Sequence, residues 1–143
     1  MAITTAMCNS FKQELLGGVH DLDTDSLKVA LIQASPTGTY GSGTTNYSDI
    51  SAEEAVGTNY TAGGQVLDSA VVSLTGSTAI VDFSDEVFSN LTLAADGAII
   101  YNTSQGNKAI AIFDFGTTVT STSGDFTVVF PVADASNAVI RIS

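Results

Sequence analysis

A single histidine, His20, and a single cysteine, Cys8, limit the nucleophilic chemistry open to this chain. A Ser-His-Asp site would have to be assembled around His20, and the sequence has no Gly-x-Ser-x-Gly elbow to present the serine. Cys8 and His20 form the one available thiol–imidazole pair. Cys8, however, falls on the apolar side of a helical pattern, where a small buried thiol is the plainer expectation. For His20 the expectation is a ring hydrogen-bonded to backbone after the Gly17-Gly18 stop. The run Asp21-x-Asp23-x-Asp25 begins like a calcium-binding EF-hand loop, but its sixth position is Ser26 rather than glycine and its twelfth is Ile32 rather than glutamate. A solvated acidic turn is therefore expected. Asp82, Asp85, Glu86 and Asp114 could supply a general acid and base. Asp85-Glu86 reads instead as a turn, and Asp82 and Asp114 as strand residues beside apolar neighbours. The stretch Gly38-Thr-Tyr-Gly41-Ser-Gly43 lacks the lysine and the strand-to-helix context of a phosphate-binding loop. No catalytic, cofactor-binding or metal-ligating residue is assigned, and the chain is not expected to be an enzyme.

The elements that would position these residues are mostly strands. Hydrophobic residues make up 44% of the 143 residues and charged ones 13%, so Thr, Ser, Asn and Gly must supply most of the polar surface. That mixture favours strands and tight turns. Thr5 can cap a helix over 6–16, with Met7, Phe11 and Leu15 on one face and Gly17-Gly18 as the stop. Leu27, Val29 and Leu31 then alternate as a first strand, and seven more are predicted over 65–74, 78–83, 87–93, 97–102, 109–115, 125–130 and 138–142. Turn chemistry marks the connections at Thr75-Gly76, Gln105-Gly106-Asn107 and Ser123-Gly124-Asp125. The fold class expected is mainly β: one antiparallel, jelly-roll-like β-sandwich of about eight strands with a short N-terminal α-helix. Residues 1–20 form its arm and helix and 21–143 the sandwich, one domain overall.

Four basic residues face fifteen acidic ones, a formal charge of −11. Nucleic-acid binding needs cationic clusters to displace counterions, so neither nucleic acid nor an anionic membrane is an expected partner. The opening residues lack a basic segment followed by an apolar run, and no stretch has the ~20 apolar residues of a membrane span, so cytoplasmic synthesis is expected. Asn46, Asn59, Asn90 and Asn102 head Asn-x-Ser/Thr triplets, read here as products of a Ser/Thr-rich composition. Between residues 34 and 64 the chain has no sustained period, unusual for a compact domain unless such a loop is functional or ordered by a partner. It carries Tyr40, Tyr47 and Tyr60. Exposed loop tyrosines could stack on sugars or anchor a protein contact; alternatively the rings fold back onto the sandwich as a lid.

Five stretches together have a family character: Ser10-Phe-Lys-Gln-Glu-Leu-Leu-Gly-Gly-Val-His20, Gly57-Thr-Asn-Tyr-Thr-Ala-Gly-Gly64, Gly97-Ala-Ile-Ile-Tyr-Asn102, Asp114-Phe-Gly116 and Asp134-Ala-Ser-Asn-Ala-Val-Ile-Arg-Ile142. In order and spacing the chain resembles small virion structural proteins of tailed bacteriophages, of the capsid decoration or cement type. Phe88 stands where that pattern leads one to expect tryptophan. The resemblance implies a cofactor-free homo-dimer or homo-trimer on the outer capsid surface, assembled in the host bacterial cytoplasm and bridging neighbouring capsomers through the major capsid protein. Phe11 and Leu15, the loop residues Tyr40, Tyr47 and Tyr60, and a strand edge are the candidate contacts. A tail-associated receptor- or carbohydrate-binding component is the alternative, using the same tyrosines as a stacking platform.

Overall fold

The computed structural model describes residues 2–68, 70–131, 134, 136 and 138–143. The protein is mainly β, with eight strands in two antiparallel sheets and one helix, the arrangement of a β-sandwich. In chain order the elements are β1 (Ala6–Met7), α1 (Asn9–Leu16), β2 (Leu27–Gln33), β3 (Gln65–Val66), β4 (Val71–Thr75), β5 (Thr78–Asp82), β6 (Glu86–Asn102), β7 (Lys108–Val128) and β8 (Ile140–Ile142). The larger sheet has the order β1-β7-β6-β2-β3 and the smaller β4-β5-β8.

The helix begins three residues later than its periodicity predicts. Ala6 and Met7 pair instead with Ile112 and Ala111 on the edge of β7, and a backbone satisfied by a sheet cannot also start a helix. Cys8 takes the N-cap position in an extended conformation without a side-chain cap. Thr5, the expected cap, uses its hydroxyl to accept the Asp114 N–H at 2.8 Å. Gly18, with φ 73°, ends the helix as expected.

Four predicted strands merge into two. Segments 87–93 and 97–102 are parts of β6, and 109–115 and 125–130 lie largely on β7, giving a long two-stranded ribbon joined at a turn over Thr103–Gln105. Its pairing is interrupted between Phe88 and Leu91, Leu91 and Leu93, Ala95 and Gly97, and Ile100 and Tyr101. Such irregularities bend a ribbon and let it curve around a core. Ser123-Gly124-Asp125 is one of them, with Ser123 at φ 49°, rather than the hairpin turn its composition suggested. The Gly106-Asn107 turn is where the sequence placed it, both residues having positive φ. The predicted strand 65–74 becomes β3 and β4; its residue 69 lies outside the described residues.

One buried cluster joins Leu31, Ile99, Ile100, Ile110, Ile112, Phe88 and Phe126 of the larger sheet with Val81 and Ile140 of the smaller. On β2 both Val29 and Leu31 and both Ala30 and Ile32 are fully buried, so the central strands are covered on both faces. Segment 34–64 contributes to that cover: Ile50, Ala55 and Tyr40 belong to the same cluster.

Candidate functional site: an inward lid and an outward apolar surface

The long loop is organised by two neighbouring carboxylates. Residues Ser51–Glu53 form a short 3-10 turn, after which Glu54 is extended and bridges to Ile32, while Ala55 N–H donates to Leu31 O at 2.8 Å. Glu53 accepts the Thr37 N–H at 2.6 Å, the Thr37 hydroxyl at 2.7 Å, the Gly38 N–H at 2.8 Å and the Tyr40 hydroxyl at 2.5 Å. The Tyr40 bond first, then those from Thr37 and Gly38, hold the Glu53 carboxyl down at about 2. Burial, reinforced by Glu53, pushes Tyr40 up to about 12.

Glu54, buried, collects the other half of the loop. It accepts the Tyr47 hydroxyl, the Tyr60 hydroxyl at 2.7 Å and the Gly63 N–H at 2.7 Å. Tyr60 Oη in turn accepts the Leu31 N–H at 2.9 Å, and Tyr101 donates to Gly63 O at 2.6 Å. The Tyr47 and Tyr101 rings stack with centroids 4.7 Å apart, and Tyr60 lies 5.7 Å from Phe88. Burial raises all three of these tyrosines, Tyr101 to about 12, and the nearby Glu54 charge adds to the effect. Close approach of the loop requires Gly64: at φ 77°, a Cβ there would stand 1.8 Å from Val29 O.

Tyr40, Tyr47 and Tyr60 are therefore directed inward with their hydroxyls bonded, and they form a lid rather than an exposed stacking platform. Phe11 is likewise fully buried, 5.0 Å from the His20 ring, and is not a surface contact. Of the five predicted contact residues Leu15 borders an open groove.

Several of the candidate chemical groups are engaged in structural bonds. His20 Nε2 is 3.3 Å from Glu14 Oε1, whose other oxygen meets Lys108 Nζ at 3.2 Å. Asn102 Nδ2 stands 3.0 Å from His20 Nδ1 and donates to Asp25 Oδ2 at 2.7 Å. His20 thus bonds side chains, not the backbone expected for it. Burial acts to raise Asp25, but bonds from Asn102, the Asp21 backbone and Gln105 outweigh it and the carboxyl is lowered. Asp21 and Asp25 accept N–H groups of their own turn, as a self-capped acidic turn does. Cys8 is buried with Sγ 3.9 Å from Gly41 O, and burial, with Asp49 and Glu14 nearby, pushes its thiol up to about 12, opposite to what a nucleophile needs. Asp85 accepts the Phe130 N–H and Asp114 the Gly116 N–H. Among the described residues no group of three or more His, Cys, Asp or Glu side chains could hold a metal ion, and no helix is long and apolar enough to cross a membrane.

The surface facing outward is the β4 edge of the smaller sheet. All five residues of β4 are exposed, Leu74 by 70% and Val72 by 48%, and at the end of α1 Leu16 is exposed by 92%. Antiparallel register places Val72 opposite Val81 and Leu74 opposite Ala79, and Val81 and Ala79 opposite Ile140 and Ile142. Partners directly opposite share a face, so one face of this sheet is wholly apolar. Part of it is covered, and the rest opens as a groove of about 540 Å³ bordered by Leu15, Leu22, Val72 and Ile142, with Asp21 and Asp23 on its rim. A second groove of about 380 Å³, bordered by Met7, Leu15, Leu16 and Ile142 together with Lys12 and Arg141, continues it. In the sequence this surface shows as aliphatic alternation within the uncharged stretch 70–81, although uncharged stretches also run through 29–48 and 55–67. Compared with known proteins, the chain matches no family model, no curated protein and no solved structure.

Proposed function

We propose that this chain is a non-enzymatic virion structural protein of a tailed phage: a capsid decoration or cement protein that binds the outer capsid surface as a homo-oligomer and strengthens contacts between capsomers. The observation that carries this reading is the division of side chains just described. His20, Cys8, Asp85, Asp114 and the loop tyrosines are engaged in structural bonds, while aliphatic side chains of β4, β8 and α1 are left outside, where they suit contact with other protein. The sequence resemblance supports the phage setting and the capsid partner. Several weak apolar contacts, repeated through an oligomer on a lattice, would act together by avidity. The tail-associated, carbohydrate-binding alternative loses its carrying residues, because the tyrosines it needs are directed inward.

The contact set is accordingly Leu15, Leu16, Val72, Leu74 and Ile142 rather than Phe11 and the tyrosines. Truncating residues 1–16 would not test it cleanly, since β1 and the buried Phe11 would go with them. The direct test mixes the purified protein with phage heads lacking it and follows co-sedimentation. Saturation at a copy number matching a set of lattice positions is expected. Failure to bind heads at any concentration would overturn the reading.

A further inference from the structure

We infer that β4 is a self-pairing edge, through which two copies of this chain join their smaller sheets across a two-fold axis into one six-stranded sheet. The inference rests on the homo-oligomeric part of the reading above and gives it a surface.

Sheet edges present unpaired backbone donors and acceptors, and soluble proteins guard them by shortness, charge, proline or bulges. Among the described residues the other terminal strands of the two sheets are guarded. β1 and β3 are two residues long, and β8 is three residues long with Arg141 at its centre. The outer edge of β7 beyond β1 is broken by left-handed Gly116 and Ser123 and flanked by Asp114 and Asp125. β4 has none of these protections. It is five residues long, contains no charge or proline, and its register with β5 runs unbroken from Val71 to Thr75.

The strand's compatibility with its own two-fold image makes a second copy the occupant, and charge does not oppose it at this place. At −11, two copies repel wherever their acids approach, and residues 70–81 form an uncharged window in which they can meet. Antiparallel pairing centred on Ser73 sets Ser73 against its counterpart and Val72 against Leu74, aligning the apolar faces of the two sheets. The half-exposed Val72 and the more exposed Leu74 would then pack across the new interface, beside the groove that ends at Ile142. Main-chain bonds would supply affinity and these side chains the register.

The test uses the full-length Ser73→Cys variant in the absence of heads, under mild oxidation, with Ser48→Cys at another exposed site as control. Directly opposed antiparallel residues have Cα atoms about 4.5–5.5 Å apart, within disulfide range. Cys8, being buried, stays out of the exchange. Rapid, near-complete conversion of Ser73→Cys to a covalent dimer is expected, with slow conversion of the control. In parallel, sedimentation should give twice the monomer mass for the unmodified chain and the monomer mass for Val72→Lys/Leu74→Lys. Equal cross-linking rates at the two sites, or a monomeric unmodified chain at its highest soluble concentration, would overturn the pairing. A monomer that still saturates heads would retain the cement reading and reject the β4 pair, whereas a β4 dimer that ignores heads would do the reverse.

Discussion

The lid over residues 34–64 and the β4–β5–β8 sheet invert the usual relation between residue type and position. The lid is built from Gly, Thr, Ser, Asn and Tyr, the composition of an exposed loop, yet its tyrosines point inward onto Glu53 and Glu54. The small sheet is built from Val, Leu, Ala and Ile, the composition of a core, yet β4 is exposed along its whole length. The difference lies in the partners each finds within the chain. Donors in the lid find acceptors 6 to 16 residues away within the same segment, so the segment can bury them without loss. The small sheet has three strands and not enough of the chain packed against it to cover both its faces and its edge.

The sharpest way to break the lid side of this comparison is steric. Gly64→Ala would set a Cβ against the Val29 carbonyl in a left-handed conformation, so the lid could not close on β2. We expect a loss of about 4 kcal/mol or more in denaturant unfolding, at the upper end for single substitutions. A loss under about 1 kcal/mol would mean that the lid is not clamped at this point.

Removing the acceptor should cost somewhat less. Glu54→Ala would leave the Tyr47 and Tyr60 hydroxyls and the Gly63 N–H without their shared partner, and unsatisfied buried donors make a loss of about 3 kcal/mol the expected outcome. The loss should appear in chemical unfolding together with faster proteolysis within residues 34–64. Tyr60→Phe removes one bond to the carboxylate and the acceptor for Leu31 N–H, and about 2 kcal/mol is expected by the same measurement. An equal effect of Tyr60→Phe and Glu54→Ala would show that the Tyr47 and Gly63 bonds to Glu54 together contribute no more than the Leu31 N–H bond to Tyr60.

Much of the scaffold was legible in the sequence, because period-two alternation and turn residues are local signals. The fold class, the Gly18 stop, the Thr75-Gly76 and Gly106-Asn107 turns and the strand character of β2, β5 and β6 are all visible there. What was not legible depends on partners distant in sequence. Ala6 and Met7 fit a helix until β7, more than a hundred residues on, offers them a sheet edge. Ser123-Gly124 has the chemistry of a turn and serves as an irregularity within β7, because the ribbon must bend there rather than reverse. The direction of the tyrosines was undetermined for the same reason: nothing local distinguishes a tyrosine facing Glu54 from one facing solvent. Adjacent acids following a loop rich in donors were the available clue.

Glu53 tests whether the outer half of the lid is held by charge, and the sign of the pH dependence follows from its lowered pKa. The folded protein holds this carboxyl at about 2, against an ordinary value of 4.5, so its contribution is full above 4.5 and is lost as pH falls through about 2. Thermal midpoints of the native chain and Glu53→Gln should therefore differ at pH 7, keep that gap to about pH 5, and converge as acid is added. Glu86, which burial and then Asp68 raise, acts in the opposite sense, and comparing the two chains at each pH cancels it. A gap that widens in acid would assign the lid's order to something other than the ionised carboxylate.

The smallest effect on stability is expected where the apolar surface is largest. Leu74→Lys replaces a side chain that is 70% exposed and removes little packing from the isolated fold. Its unfolding free energy should stay within about 0.5 kcal/mol of the native value, as for surface substitutions generally. Solubility and mass in solution should change instead, because the lysine guards an edge that is otherwise uncharged. The contrast with Tyr60→Phe is the useful quantity: deletion of one oxygen from the lid should outweigh replacement of an entire aliphatic side chain on β4. If Leu74→Lys destabilised the monomeric chain as much as Tyr60→Phe, Leu74 would be a core residue of the single copy. The exposed sheet would then be part of the fold's own packing rather than a surface kept for another chain.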